Sequence, residues 1–165
     1  MAEAATLVYD ATDKILGRLA SLVAKQLISA RKEGREQRVI IYNAEHAVVS
    51  GPRTRVLANY DGKYKLNHAR KGPFYPRMPD QILKRTFRGM LPYQKNSSGR
   101  KALRDLRVLI GKPKNGLHWQ SGEELPDGHA WGDTGPIDRP LPLKFVRLGE
   151  ISSSLGGDAS RWESE

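Results

Sequence analysis

Lysine and arginine crowd one stretch of this chain. Between Lys63 and Arg104 stand Lys63, Lys65, Arg70, Lys71, Arg77, Lys84, Arg85, Arg88, Lys95, Arg100, Lys101 and Arg104, against a single acid, Asp80. That stretch carries +11, while the whole chain of 165 residues carries +10. Residues 1–62 hold 9 basic and 7 acidic side chains, and residues 113–165 hold 5 and 9. The charge is therefore local. Cations at this density repel one another unless an anion lies against them. The chemistry open to them is neutralisation of a polyanion, with Lys acting as a point charge and Arg as a fork or a stacking plane. A nucleic acid backbone suits that role, because each neutralised phosphate releases condensed counterions.

Other chemistry finds little support in the residues. There is no cysteine, which removes disulfides and thiolate-bound zinc. The four histidines, His46, His68, His118 and His129, include no pair at helical spacing, so neither a zinc helix nor a facial triad is indicated. Phosphate-loop, dinucleotide and nucleophile-elbow patterns are missing. Asp10 and Asp13 fall at the end of the first predicted strand, where α/β enzymes place active residues, but cap roles suit them better. The expectation is no metal, no cofactor and no catalysis. An α/β enzyme acting on nucleotides or RNA is the alternative, and it would need a constellation at the strand ends. No apolar run approaches the ~20 residues of a membrane span. The acidic, alanine-rich N-terminus lacks the regions of a signal peptide. A cytoplasmic protein without membrane association is expected.

The elements that must position the charge begin with Thr6–Asp10, a short apolar run that reads as a buried strand. Thr12 or Asp13 is a candidate cap for a following helix to about Ala30. Ile15, Leu16, Leu19, Ala20, Val23 and Leu27 form its apolar stripe, and Lys14, Arg18 and Lys25 lie opposite. Gly17 in its first turn suggests close helix packing or the approach of a phosphate. Residues 38–42 predict a second strand, completing a right-handed βαβ unit and hence a parallel sheet. Residues 47–49 predict a third short strand. Ser50-Gly51-Pro52 starts a helix carrying Val56, Leu57 and Tyr60, with Arg53 and Arg55 turned away.

From Asp61 to Pro79, Gly and Pro interrupt the pattern, and Tyr64, His68, Phe74 and Tyr75 alternate with cations. This predicts a basic loop that orders on RNA, with rings for base stacking. Residues 79–90 form the clearest helix. At about 100° per residue from Ile82, the apolar Ile82, Leu83, Phe87 and Met90 occupy one face, and Lys84, Arg85 and Arg88 occupy roughly 200–300°. No acid interrupts the basic face. Ser97 or Ser98 is placed to cap a short helix over residues 100–106, followed by a strand at 107–110. Residues 114–142 show no periodicity and read as an irregular extension. The tryptophans Trp119 and Trp131 suggest that it docks on the domain or on a neighbour. A brief strand at Phe145-Val146 and a helical turn at residues 150–155 complete the chain.

Arg88-Gly89-Met90-Leu91-Pro92, Gly99-Arg100-Lys101-Ala102-Leu103 and Val108-Leu109-Ile110-Gly111 resemble a known family, the thirteenth protein of the large ribosomal subunit. Leu16-Gly17-Arg18-Leu19-Ala20-Ser21, Tyr42-Asn43-Ala44-Glu45 and Val49-Ser50-Gly51 agree, so the resemblance covers roughly residues 8–112. Phe74-Tyr75-Pro76-Arg77-Met78-Pro79 and the stretch from Lys144 to Ile151 look like its archaeal branch. The loop between Pro92 and Gly99 is slightly longer than the common pattern.

The resemblance implies a three-layer α/β/α domain with a parallel sheet of about four strands. It also implies binding to large-subunit ribosomal RNA during assembly, beside neighbouring ribosomal proteins, without homo-oligomerisation or catalysis. The expected organisation is an RNA-binding core over residues 1–112, including the basic loop 61–79, and an extension over 113–165. The candidate RNA-binding residues are Arg18, Arg53, Lys63, Arg70, Lys71, Arg77, Lys84, Arg85, Arg88, Lys95, Arg100 and Lys101.

Overall fold

In the computed structural model the described residues are 6–112, 125 and 128–163. The fold grows from two central strands, β1 (Thr6–Asp10) and β2 (Val39–Tyr42), paired in parallel with Leu7 opposite Val39 and Asp10 opposite Tyr42. Both are apolar runs rather than alternating ones because both faces are covered. Tyr9, Val39 and Ile41 join the main core, while Val8 and Tyr42 enter a smaller cluster with Ile40, Leu109, Leu125 and Trp131. On the far side of β2 lies β4 (Leu106–Val108), with Leu106 opposite Val39. On the far side of β1 lies β5 (His129–Trp131), with Thr6 opposite His129. The order β4-β2-β1-β5 is parallel throughout. With helices on both sides, this is the three-layer class expected from the sequence.

Helix α1 (Leu16–Lys32) makes the crossover from β1 to β2 and buries Leu16, Leu19, Ala20, Val23 and Leu27, the stripe its periodicity predicts. Its start differs from expectation. Neither Thr12 nor Asp13 caps it; the N-cap is Ile15, with no side-chain bond. Asp10 instead accepts hydrogen bonds at Oδ1 from the Thr12 backbone N–H (2.9 Å), the Thr12 hydroxyl (2.7 Å) and Asn43 Nδ2 (3.1 Å). The carboxylate closes a local turn, a competing use of Asp that favours non-helical backbone. Close packing at Gly17 is also overturned, because a methyl added there would meet nothing within 4 Å.

Strand β3 (Val48–Ser50) pairs antiparallel with β6 (Phe145–Arg147) in a separate two-stranded sheet. Helix α2 (Arg53–Lys65) buries Val56 and Tyr60. It runs past Asp61, so Lys63 and Lys65 sit on its last turn rather than in the loop. Lys65 pairs with Asp61 one turn back at 2.7 Å, and cations at a helix C-terminus favour its continuation. Helix α3 (Pro79–Met90) has the predicted bounds, with Ile82, Leu83 and Phe87 fully buried. Met90, expected inward, is 42% exposed. It is the last residue of the helix, and Leu91 beyond it takes the buried position. Helix α4 (Ser97–Arg104) starts earlier than predicted, from Asn96 without a side-chain cap.

The C-terminal residues contribute more than loops. Besides β5 and β6 they supply α5 (Leu148–Ser154), whose Leu148 and Ile151 are fully buried in the main core, and α6 (Ser160–Glu163). Ion pairs tie this part to the N-terminal half: Lys14 to Asp138, Arg53 to Glu150 and Arg147 to Asp13 (2.8 Å). Trp131 stands 6.3 Å from the Tyr42 ring. Trp119, with residues 114–124, 126 and 127 of the segment expected to be irregular, lies outside the described residues.

Candidate nucleic-acid interface

The predicted cations sort into structural groups. Lys84, Arg85 and Arg88 project from α3, whose opposite face is fixed in the core by Ile82, Leu83 and Phe87. Two open clefts flank this ridge, and Arg85 and Arg88 line both. The larger, about 510 Å³, continues along Leu91, Pro92, Tyr93 and Lys95. The smaller, about 310 Å³, is bounded by Lys84, Phe74, Pro76 and Leu103.

Aromatic rings hold the guanidinium groups in place. Arg85 lies 4.8 Å from the Tyr75 ring centre and donates from Nη1 to the Phe74 carbonyl at 2.9 Å. Arg88 lies 4.5 Å above Tyr93, and Arg100 reaches back to the Tyr93 carbonyl at 3.4 Å. Arg77 lies 4.9 Å over Tyr64, and Lys63 lies 5.0 Å over Tyr60. Such contacts are worth ~0.5–1 kcal/mol each at exposed sites. Their larger effect is to pre-order long side chains that would otherwise lose rotamer freedom on binding. Tyr75 also packs edge-on against Tyr60 at 6.1 Å. Burial raises the phenol pKa of Tyr75, opposed by the charge of Arg85, and burial pushes Tyr60 up to about 12.

These contacts alter the expected use of the loop. Tyr64 and Tyr75 are engaged inside the chain, while Phe74 remains 64% exposed. His68 and Gly72 exchange backbone hydrogen bonds of 3.2 and 2.9 Å, so Arg70 and Lys71 stand exposed at the tip of a closed turn. Gly72 sits at φ +75°, backbone that favours glycine.

Lys95, Arg100 and Lys101 are exposed around α4. Gly99 sets the position of that helix: an added methyl would lie 2.6 Å from both the carbonyl carbon and oxygen of Pro92. Arg18 and Arg53 stand apart from the ridge. Arg18 is exposed on α1, and Arg53 at the start of α2 is bound to Glu150. Among the described residues, Arg53 is the only one of the twelve candidates with a carboxylate within 4 Å. Among the described residues the other eleven have no carboxylate partner within that distance. Tyr93 is the residue that the charge count passed over. Its spacing of five from Arg88, across the helix end at Met90, carries no periodic signal.

The strand ends show the opposite character. Asp10 and Asp13 are engaged as described, and Asn43, at φ 55°, ties the ends of β1 and β2 through Asp10 and Thr12. The buried Glu45 accepts the Gly111 backbone N–H at 2.9 Å, joining the chain after β2 to the end of β4. The Tyr42-to-Glu45 motif therefore ties together the carboxyl ends of the strands, leaving the exposed chemistry to the cations.

A model of the family described as ribosomal protein L13 matches residues 4–115. The chain belongs to the ribosomal protein L13 family. It is 40% identical over 149 residues to the large ribosomal subunit protein uL13 of Archaeoglobus fulgidus, an overlap of 90% of this chain and 86% of the relative. The same protein of Methanosarcina barkeri is 42% identical over 150 residues, 90% and 96% of the two chains. That of Haloarcula marismortui is 38% identical over 154 residues, 93% of each. The likeness to archaeal members extends beyond the family match into the C-terminal residues. L13-family proteins are structural rather than enzymatic, and the enzyme alternative finds no support.

Proposed function

We propose that this chain is a structural component of the large ribosomal subunit in the cytoplasm, binding ribosomal RNA through the α3 ridge and its flanking clefts. The observation that carries this reading is the pairing of a fully buried apolar face with a basic face on one helix. A rigid anchor fixes Lys84, Arg85 and Arg88, and Tyr75 and Tyr93 orient the two arginines. Phosphates in the clefts would meet ordered cations with little reorganisation. The exposed Phe74 ring offers a stacking platform for an unpaired base, and Arg70 and Lys71 extend the charge outward. Lys63, Arg77, Lys95, Arg100 and Lys101 widen the same field, while Arg53 contributes mainly to docking the C-terminal residues. Residues 1–112 form the RNA-binding core on this reading, and the C-terminal residues brace it and face neighbouring ribosomal proteins. The chain acts there as a single copy.

The test is binding of a large-subunit ribosomal RNA transcript across a salt series. Replacing Lys84, Arg85 and Arg88 with Ala should lower the slope of log affinity against log salt by about 2–3, at roughly 0.7–0.9 per phosphate contact. Unchanged affinity and slope would remove the ridge from the interface. Loss of the intact protein from large subunits washed at high salt would count against its being an integral component.

A further inference from the structure

A second basic cleft lies away from the α3 ridge and shares no lining residue with the clefts there. Its volume is about 270 Å³. Arg18 and Lys25 line it from α1, together with Leu22. Pro136, Ile137 and Arg139 line it from more than a hundred residues later in the chain. The cleft exists only because the C-terminal segment docks on α1.

That docking is specific. Ile137 is half-buried against the main core. Its backbone N–H donates to the Thr134 carbonyl at 2.9 Å, and the Asp138 N–H donates to the same oxygen at 3.0 Å. The Asp138 carboxylate is bound by Lys14 at the entrance to α1. This pair fixes the residue next to Arg139 and engages the nearest acid in the sequence. Among the described residues no carboxylate lies within 4 Å of Arg18, Lys25 or Arg139. All three are exposed.

We infer that Arg18, Lys25 and Arg139 form a second phosphate site, which holds an RNA backbone segment separate from the one on the α3 ridge. This inference rests on the RNA-binding reading above and extends it to a site completed by a residue outside the family match, which ends at residue 115. Arg18 and Lys25 are seven residues apart, about 10.5 Å along the helix axis at ~1.5 Å per residue. That spans roughly three stacked nucleotides at ~3.4 Å each. The apolar Leu22, Pro136 and Ile137 between the cations suit the faces of ribose rather than further charge. An acidic protein segment is the competing occupant. The cleft's sign matches that of the ridge, and a second phosphate contact on the same polyanion accounts for both with one partner.

Two gripping points would let the protein fasten two RNA segments together, and their contributions should be separable. The experiment compares the wild type, Arg18→Gln/Lys25→Gln/Arg139→Gln and Lys84→Gln/Arg85→Gln/Arg88→Gln for binding to a full-length large-subunit ribosomal RNA transcript between 50 and 200 mM salt. Thermal melting checks that each variant is folded. At about 0.7–0.9 per phosphate, the second-cleft variant should lose about 2–3 from the salt slope. Over this fourfold salt rise the wild type should then lose roughly 20–40-fold more affinity than the variant. Arg139→Gln alone, which leaves α1 untouched, should lose about one third of that slope change.

Wild-type affinity and slope in the second-cleft variant, with a loss in the ridge variant, would overturn the second site and leave the RNA-binding reading intact. Wild-type behaviour in both would overturn both. A second-cleft variant that binds RNA normally but is displaced from isolated large subunits would identify a protein partner there and likewise overturn the inference.

Discussion

Gly99→Ala should damage both stability and RNA binding, although alanine is the better helix former. A methyl at this position would sit 2.6 Å from the carbonyl carbon and oxygen of Pro92 and 3.0 Å from the Tyr93 nitrogen. Ordinary contact needs roughly 3.5 Å or more, so the overlap is close to 1 Å. The obstructing atoms are backbone, and no rotamer change removes them. Either α4 or the turn at residues 91–93 must move.

Overpacking of this kind costs ~1–3 kcal/mol, while replacing a helical glycine with alanine returns at most ~1 kcal/mol. An overlap close to 1 Å against backbone puts the cost at the upper end of that range, so the net loss expected is about 1–2 kcal/mol. The displacement should also reach the interface, because Tyr93 carries Arg88 on its ring and accepts from Arg100 at its carbonyl. RNA affinity should therefore fall although no cation has been removed. Gly62→Ala provides the comparison. It lies exposed in α2 with nothing within 4 Å of an added methyl, so it should gain up to ~1 kcal/mol. Urea unfolding and RNA titration on the three proteins would decide the matter. A Gly99→Ala protein as stable as the wild type would refute the close-approach argument.

Phe87→Ala should cost about 3–5 kcal/mol, because the ring is fully buried where α3 meets the core; a negligible shift in the urea midpoint would contradict that placement. Alkaline pH should unfold the protein through Tyr9 and Tyr60, whose phenols burial pushes from 10.0 to about 12. Their neutral forms are favoured in the fold, so this contribution is complete below pH 10 and is lost as pH rises towards 12. It amounts to roughly 2–3 kcal/mol per tyrosine at ~1.36 kcal/mol per unit. Phenolate absorbance should show Tyr9 and Tyr60 titrating late, with Tyr75 also above the usual phenol value; uniform titration near pH 10 in the folded protein would refute it.

Helix α3 was legible because its signal is entirely local. Twelve residues place the apolar and basic side chains on opposite faces, and packing follows that division everywhere except Met90 at the C-terminal end. The two central strands were legible for a similar reason: burial on both faces demands continuous apolar runs. Strand β5 was not. His129, Ala130 and Trp131 carry little strand pattern, yet they pair with Thr6, Leu7 and Val8 at the open edge of β1. The close fit of Gly132 there is equally invisible in the sequence, although an added methyl would fall 2.0 Å from Tyr9 Cζ. Charge and helical phase put Arg53 among the candidate RNA contacts, and only the fold brings Glu150 to it across 97 positions.

The sequence by itself determined the sign of the partner, the parallel α/β scaffold and the helix that presents the charge. These depend on composition and on periodicity within a dozen residues, which no distant contact overrides. Tertiary structure decided which cations are spent inside the protein and which face outward. It also decided that Tyr75 and Tyr93 hold Arg85 and Arg88, and that Arg139 joins Arg18 and Lys25. Each of those depends on a neighbour that chain order does not predict, because pairing across a folded core is chosen by packing and Coulomb attraction rather than by separation along the chain.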